Sequence, residues 1–228
     1  MEWTRLELLL KDRLEIVQNK TILVIGLGGV GGYVVESLTR LGIKKIIIVD
    51  GDVVDITNIN RQIIALHSTV GRPKVEVFKE RIFDINPECN VTSIYEFLTT
   101  DKINNLITNE IDYVVDACDT TEVKKEIIRV CSRKGIPFIT CMGTGNKLDP
   151  TKLEIIDIRK TEYDPLAKII RKMVRDEKIS GKIPVVCSKE RPIPHEGTTI
   201  ASCSFVPSVA GLLCTSYIVN DIVGDIHE

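Results

Sequence analysis

No two of the seven cysteines stand in a Cys-x-x-Cys pair. They sit at 89, 118, 131, 141, 187, 203 and 214, a spacing that argues against a thiolate zinc site built from such pairs. An odd number suggests no disulfide framework either, so most read as small, reduced, buried hydrophobes. Long hydrophobic runs are missing too. The most apolar stretches, "TILVIGLGGVGGYVV" and "FVPSVAGLLC", fall short of the roughly 18 uncharged residues that would span a bilayer. The opening "MEWTRLELLLKDR" alternates charge with Leu and has no secretory h-region or cleavage site. No membrane partner is expected, and the chain reads as cytoplasmic. There is no internal repeat and no low-complexity tract.

What is present describes an ordinary globular protein. The 228 residues are 43% hydrophobic and 27% charged, enough for one α/β domain with a sizeable core. The net charge of −2 hides a division. Residues 159–191 carry ten Lys/Arg and five Asp/Glu, a local +5, which leaves −7 for the rest. Such asymmetry points to a polyanionic partner or, equally, to a solvated helix face.

Strands and helices alternate from residue 21 to 141. "TILVIG" (21–26) reads as a buried strand, 30–41 as a helix and "KKIIIVD" (44–50) as a second strand. Residues 73–86 place Val75, Val77, Phe78, Ile82 and Ile85 on one helical face, with Pro73 at its first turn. Strands at 91–95 and 111–117, a helix at 120–134 and a strand at 136–141 complete the run. This alternation predicts a Rossmann-like, doubly wound, mostly parallel sheet. Beyond Gly143 come a strand-like 152–158, a basic helix at 165–178, a strand at 182–188, a Pro/Gly/His loop and a closing apolar helix. Residues 143–202 read as a small, basic C-terminal appendage within one domain, 1–228.

Gly26, Gly28 and Gly31 satisfy G-x-G-x-x-G between a strand and a helix, the context that gives the pattern meaning. Glycines let the backbone approach phosphates, whose charge a helix N-terminus favours, and Gly29 widens the turn. Asp50, ending the second strand, is placed to accept hydrogen bonds from ribose hydroxyls. These features mark a nucleotide site without choosing between NAD and ATP. Asn58 and Arg61 in "NINRQ" and Lys74 in "VGRPK" bear on that choice. Hydride transfer has little use for several cations at a polyphosphate, whereas attack on a nucleotide α-phosphate needs charge neutralised by Arg, Lys and a metal. "DACD" (116–119) supplies carboxylates for Mg²⁺, although Asp119 alone would equally serve as a helix N-cap.

In order and spacing, "GLGGVGG", "VDGDVVDITNINRQ", "VGRPK" and "DACDT" resemble the ubiquitin-activating-enzyme superfamily of adenylating enzymes, the ThiF-type domain. The resemblance implies ATP and Mg²⁺ as cofactors. By it Gly28 and Asp50 hold the nucleotide, with Gly26, Gly29, Gly31 and Asp52 beside them. Asn58, Arg61 and Lys74 hold the phosphates, and Asp119 holds magnesium. Arg5 in "WTRLELLL" matches the arginine that relatives lend across a homodimer to the neighbouring ATP. The match departs at Lys11, where members of the branch discussed next often carry Gly.

Sulfur-carrier-activating members commonly have two Cys-x-x-Cys pairs, which this chain lacks. "DPTKLEIIDIRKTEYDPLAK" and "SFVPSVAGLL" resemble instead the tRNA threonylcarbamoyladenosine dehydratase branch. That likeness implies ATP-driven activation of a threonyl carboxylate on tRNA, followed by ring closure. It leaves room for a monovalent cation in the appendage and for a sulfur-transfer protein partner. Arg159, Lys160, Lys168, Arg171, Lys172 and Arg175 are the candidates for RNA phosphates, although no aromatic-rich stacking surface stands out. Two other readings stay open: an activator of a ubiquitin-like or sulfur-carrier protein, and a non-catalytic ATP-binding scaffold. An NAD dehydrogenase is disfavoured, since no nicotinamide-side acid/base pair is evident. Cys187 reads as a core strand residue before a reactive thiol, His195 as a loop residue before a substrate contact, and His67 as a capping or packing group.

Overall fold

The computed structural model describes residues 2–194 and 196–224, so His195 lies outside the described residues. Within them, β1 (Thr21–Ile25), β2 (Lys45–Asp50), β3 (Asn90–Tyr95), β4 (Tyr113–Asp116), β5 (Phe138–Cys141), β6 (Leu153–Asp157) and β7 (Pro184–Ser188) form one sheet. Its order is β3-β2-β1-β4-β5-β7-β6. All neighbours pair in parallel except β6, which runs antiparallel to β7. The central strands are buried along their whole length, as in "TILVI", "YVVD" and "FITC". A parallel sheet covered on both faces demands such continuous apolar runs.

The pleat sends alternate residues to two cores. Ile22 and Val24 pack with α1 (Thr4–Leu10), α2 (Arg13–Gln18), α3 (Gly31–Arg40), α4 (Lys74–Ile85) and α8 (Phe205–Val223). Leu23 and Ile25 pack with α5 (Thr100–Leu106), α6 (Thr121–Lys134) and α7 (Pro165–Asp176) on the opposite face. Local signals fix several ends. Gly135, at φ 67°, closes α6 in the left-handed conformation. The Asp164 carboxylate accepts from the Ala167 N–H and caps α7, with Pro165 in its first turn. Helix α8 is long and apolar enough by length and composition to cross a bilayer. Here its Ala210, Cys214 and Ile218 are wholly buried in the first core.

Three features depart from the sequence reading. The N-terminal helix is two, α1 and α2, broken at Lys11, whose φ of 52° and ψ of −132° suit glycine. Helix α5 was not expected, and of its seven residues only Ile103 is buried. The segment 143–202 adds β6, α7 and β7 to the same sheet and second core, so it extends the domain's own layers.

Candidate active site

Strand β1 lies between β2 and β4, and the connections leave it in opposite directions. A crevice opens at such a switch point, outside the strands' carboxyl ends. Here it is a cavity of about 640 Å³, lined by the glycine loop, the ends of β2 and β4, and the 52–62 and 96–98 segments.

Two glycines make the loop possible. A Cβ on Gly26 (φ 87°) would meet the Ala117 carbonyl oxygen at 2.8 Å, and one on Gly31 would lie 1.8 Å from the Gly26 oxygen. The loop therefore packs tightly onto the end of β4 and delivers the start of α3 to the cavity. No side chain caps α3; the Gly32 and Tyr33 N–H groups donate to the Gly28 and Val30 carbonyls, each at 3.0 Å, so the helix start offers an anion chiefly its dipole. Asp50 fixes the loop from the other side. One of its oxygens accepts from the Leu27 N–H at 2.7 Å and the other from the Asp52 N–H at 2.8 Å. Burial raises its carboxyl above the ordinary value, against the pull of Lys74 and these two bonds.

The cations are brought in by a short bridge. Val53 pairs with Pro73, and the Lys74 N–H donates to the Asp52 carbonyl at 3.0 Å. Lys74 is thereby 4% exposed, its Nζ 2.7 Å from Asp52 Oδ2 and 3.9 Å from Asp50 Oδ1. Asn58 closes a capping box, its oxygen accepting from the Asp55 N–H at 3.1 Å, which leaves its NH₂ for a ligand. Arg61 Nη1 donates to the Thr57 carbonyl at 3.0 Å and to Asn60 Oδ1 at 2.8 Å. These bonds steady the side chain at the cavity wall, where its Cγ would lie 3.5 Å from a Cβ on Gly29.

Asp119 is exposed on the loop after β4 and lines the same cavity, with only a weak 3.5 Å contact from Thr120 Oγ1. Asp116 does not join it as a metal ligand, which corrects the reading of "DACD" as two available carboxylates. Its side chain turns inward, fully buried, with Lys124 Nζ 2.8 Å from Oδ2. Lys124 also donates to Thr140 Oγ1 and to the Cys141 carbonyl, each at 3.0 Å. Burial works against the ammonium's charge, but Asp116 holds its pKa above the ordinary value. The signal lay in the sequence: Lys124 stands on α6 between Val123 and Ile127, on the face that enters the core. Among the described residues no group of three or more His, Cys, Asp or Glu could hold a metal. Mg²⁺ bound through one or two carboxylates and substrate phosphates needs no such cage, and Asp119 fits that donor set.

The apolar lining of the cavity was not legible in the sequence. Phe97 and Leu98, with Ile25, Val49 and Val123, line it together with the cations. Phe97 is 70% exposed and lies so close to Gly51 that a Cβ there would meet its ring at 2.5 Å. The cavity therefore offers apolar surface for a planar base as well as cations for a polyphosphate.

The ThiF family model matches residues 4–218. The chain belongs to the ThiF family. Among its relatives, the tRNA threonylcarbamoyladenosine dehydratase of Bacillus subtilis is 43% identical, covering 95% of this chain and 92% of that protein. The protein of the same name from Escherichia coli K12 is 40% identical over 76% of this chain and 67% of its own length. A crystal structure of E. coli TcdA with ATP superposes with a TM-score of 0.87 at 35% identity, covering 93% of this chain and 89% of that one.

The other residues singled out in the sequence are not all in the crevice. Arg5 is exposed on α1 and does not line it. Of the basic residues, Arg159 bonds Asp157 and the carbonyls of Ile179 and Gly181, and Arg171 bonds Thr161. Lys172 and Arg175 share Asp176. Lys160 and Lys168 are exposed. Cys187 is buried in β7, and burial pushes its thiol up to about 12, so it is a core residue and no ready nucleophile. His67 is exposed in a turn.

Proposed function

We propose that this protein is an ATP-dependent tRNA threonylcarbamoyladenosine dehydratase. A carboxylate is a poor acyl donor because its leaving group would be oxide. Its attack on the α-phosphorus of ATP releases pyrophosphate and gives an acyl adenylate. The neighbouring carbamoyl group then attacks the acyl carbon, AMP leaves, a proton is lost and the ring closes. The observation that carries this reading is that Asn58, Arg61 and Lys74 line one cavity with the glycine loop and Asp119. Charge develops on the phosphates in the transition state, and preorganised cations are worth most there. Mg²⁺ would neutralise phosphate charge, with Asp119 as its protein ligand. The same arrangement gives a hydride transfer nothing to use. The strong likeness of the whole chain to dehydratases, against partial likeness to carrier activators such as a molybdopterin-synthase adenylyltransferase (57% of this chain), favours the RNA substrate. The site of action is the cytoplasm, where tRNA is modified, and the working unit is a homodimer.

The test is mass spectrometry of nucleosides from threonylcarbamoyl-modified tRNA incubated with protein, ATP and Mg²⁺. A product lighter by one water, dependent on ATP and accompanied by AMP, is expected. Unchanged tRNA together with carrier-dependent pyrophosphate exchange would overturn the proposal in favour of a carrier activator.

A further inference from the structure

The ten basic side chains of 159–191 are not equally engaged. Arg159, Arg171, Lys172, Arg175 and Lys189 have partners within the protein, Lys182 lies over Tyr217, and Lys178 is exposed past the C-terminal end of α7. Lys160, Lys168 and Arg191 are exposed and have no carboxylate partner among the described residues. Those three gather around the N-terminal end of α7, at Tyr163. The ring of Tyr163 is half exposed, and the Arg191 guanidinium lies over it, 4.8 Å from the centroid. Tyr163 also holds a φ of 56°, a left-handed conformation that is strained for a bulky side chain. An exposed cation–π contact offsets only part of that strain. The fold thus sustains a strained residue whose ring is turned out to an arginine and not into the core.

The stack is tied to the crevice wall through the 143–147 segment. Asp164, next to Tyr163, reaches Gly143, where a Cβ would lie 3.0 Å from Oδ2, and Lys147 Nζ sits 3.4 Å from the same oxygen. On the other side the Ile193 N–H donates to the Asn146 carbonyl at 2.7 Å. Thr144, within this shared 143–147 segment, lines the cavity. A nucleotide adjoining one held at the crevice mouth would meet the Tyr163–Arg191 pair.

The geometry points to a stacking platform: Tyr163 and Arg191 take the base that flanks the target adenosine in the single-stranded loop, while Lys160 and Lys168 meet its phosphates. The platform rests on the tRNA reading above. Unstacked RNA bases are held on aromatic rings and guanidinium planes, with phosphate contacts adding charge but no sequence preference. One exposed carboxylate, Glu162, lies among these cations and leaves the patch net positive.

Fluorescence of an anticodon stem–loop carrying 2-aminopurine on either side of the target adenosine tests this. Wild type should quench one of the two probes. Tyr163→Ala should abolish that quenching and raise the RNA Kd about tenfold, while Tyr163→Phe keeps both. Arg191→Ala should weaken binding and reduce the quenching, while the salt slope, set by the phosphate contacts of Lys160 and Lys168, should hold in both alanine variants. ATP affinity should hold in all three. A wild type that binds the RNA and dehydrates it, with both alanine variants matching its affinity and quenching, overturns the platform and spares the function. A wild type with no RNA affinity overturns both. Should Tyr163→Ala lose thermal stability, Arg191→Ala decides, since it removes an exposed side chain only.

Discussion

Two aspartates three residues apart have opposite fates, and the difference is where β4 ends. Asp116 is its last residue and points into the second layer, where Lys124 meets it. Asp119 is out on the loop with its carboxylate facing the crevice. Asp119→Asn keeps size and polarity but removes the charge a divalent cation needs. Turnover should fall by ~10²-fold or more with the melting temperature held, as steady-state kinetics and calorimetry would measure. Normal turnover would reduce Asp119 to a polar loop residue. Lys124→Met does the reverse. It strands a buried carboxylate at a cost of about 3–5 kcal/mol, so thermal unfolding should drop by roughly 10 °C. Adding Asp116→Asn should recover part of that loss, because the stranded charge is then gone. A Lys124→Met protein as stable as wild type would show that the pair contributes nothing to the fold.

At the scale of elements, period and composition made the parallel sheet readable, because its strands are unbroken apolar runs and its helices carry one apolar face. Helix α5 escaped because "TDKINNL" buries a single residue and has no stripe to recognise. The Phe97 wall escaped for a different reason: its position depends on how β3's exit crosses Gly51, a contact distant in sequence. The cations were legible because a motif carries them together, while the inward turn of Asp116 had to await the packing of α6. Helices α3 and α4 are joined by a contact of the same long-range kind. Arg81 of α4 and Arg40 of α3 both bond Glu36, at 2.6 and 2.7 Å. Burial works against the charged carboxylate, yet the two arginines hold it below its ordinary value. A depressed folded pKa adds stability above pH ~4.5 and loses it as pH falls through the folded value. Glu36→Gln should therefore cost about 1 kcal/mol at pH 7 and flatten the fall in stability between neutral pH and pH ~4. Urea midpoints at the two pH values would measure both. Equal losses for the two proteins on acidification would remove Glu36 from the account.

For the whole molecule, the open question is whether one chain holds a complete site. Arg5 lies on α1, beside Leu8 and Leu9, which are 77% and 66% exposed, a pairing of bare apolar surface with a cation that serves nothing in its own crevice. Two copies related by a two-fold axis would cover those leucines and carry each Arg5 to the other's triphosphate. The break at Lys11 sets the angle at which α1 leaves α2, and so how far that arginine extends. The decisive experiment mixes two inactive proteins, Arg5→Ala and Asp119→Asn. In a mixed dimer the Arg5→Ala subunit keeps its own Asp119 and receives Arg5 from its neighbour, so one of the two sites is whole. Free re-assortment at equal amounts makes half the dimers mixed. Roughly a quarter of wild-type activity should then return, provided the sites act independently. An Arg5 that served its own chain would leave every mixed site lacking one group or the other. Mixtures that stay dead after subunit exchange is demonstrated would therefore place Arg5 outside any shared site.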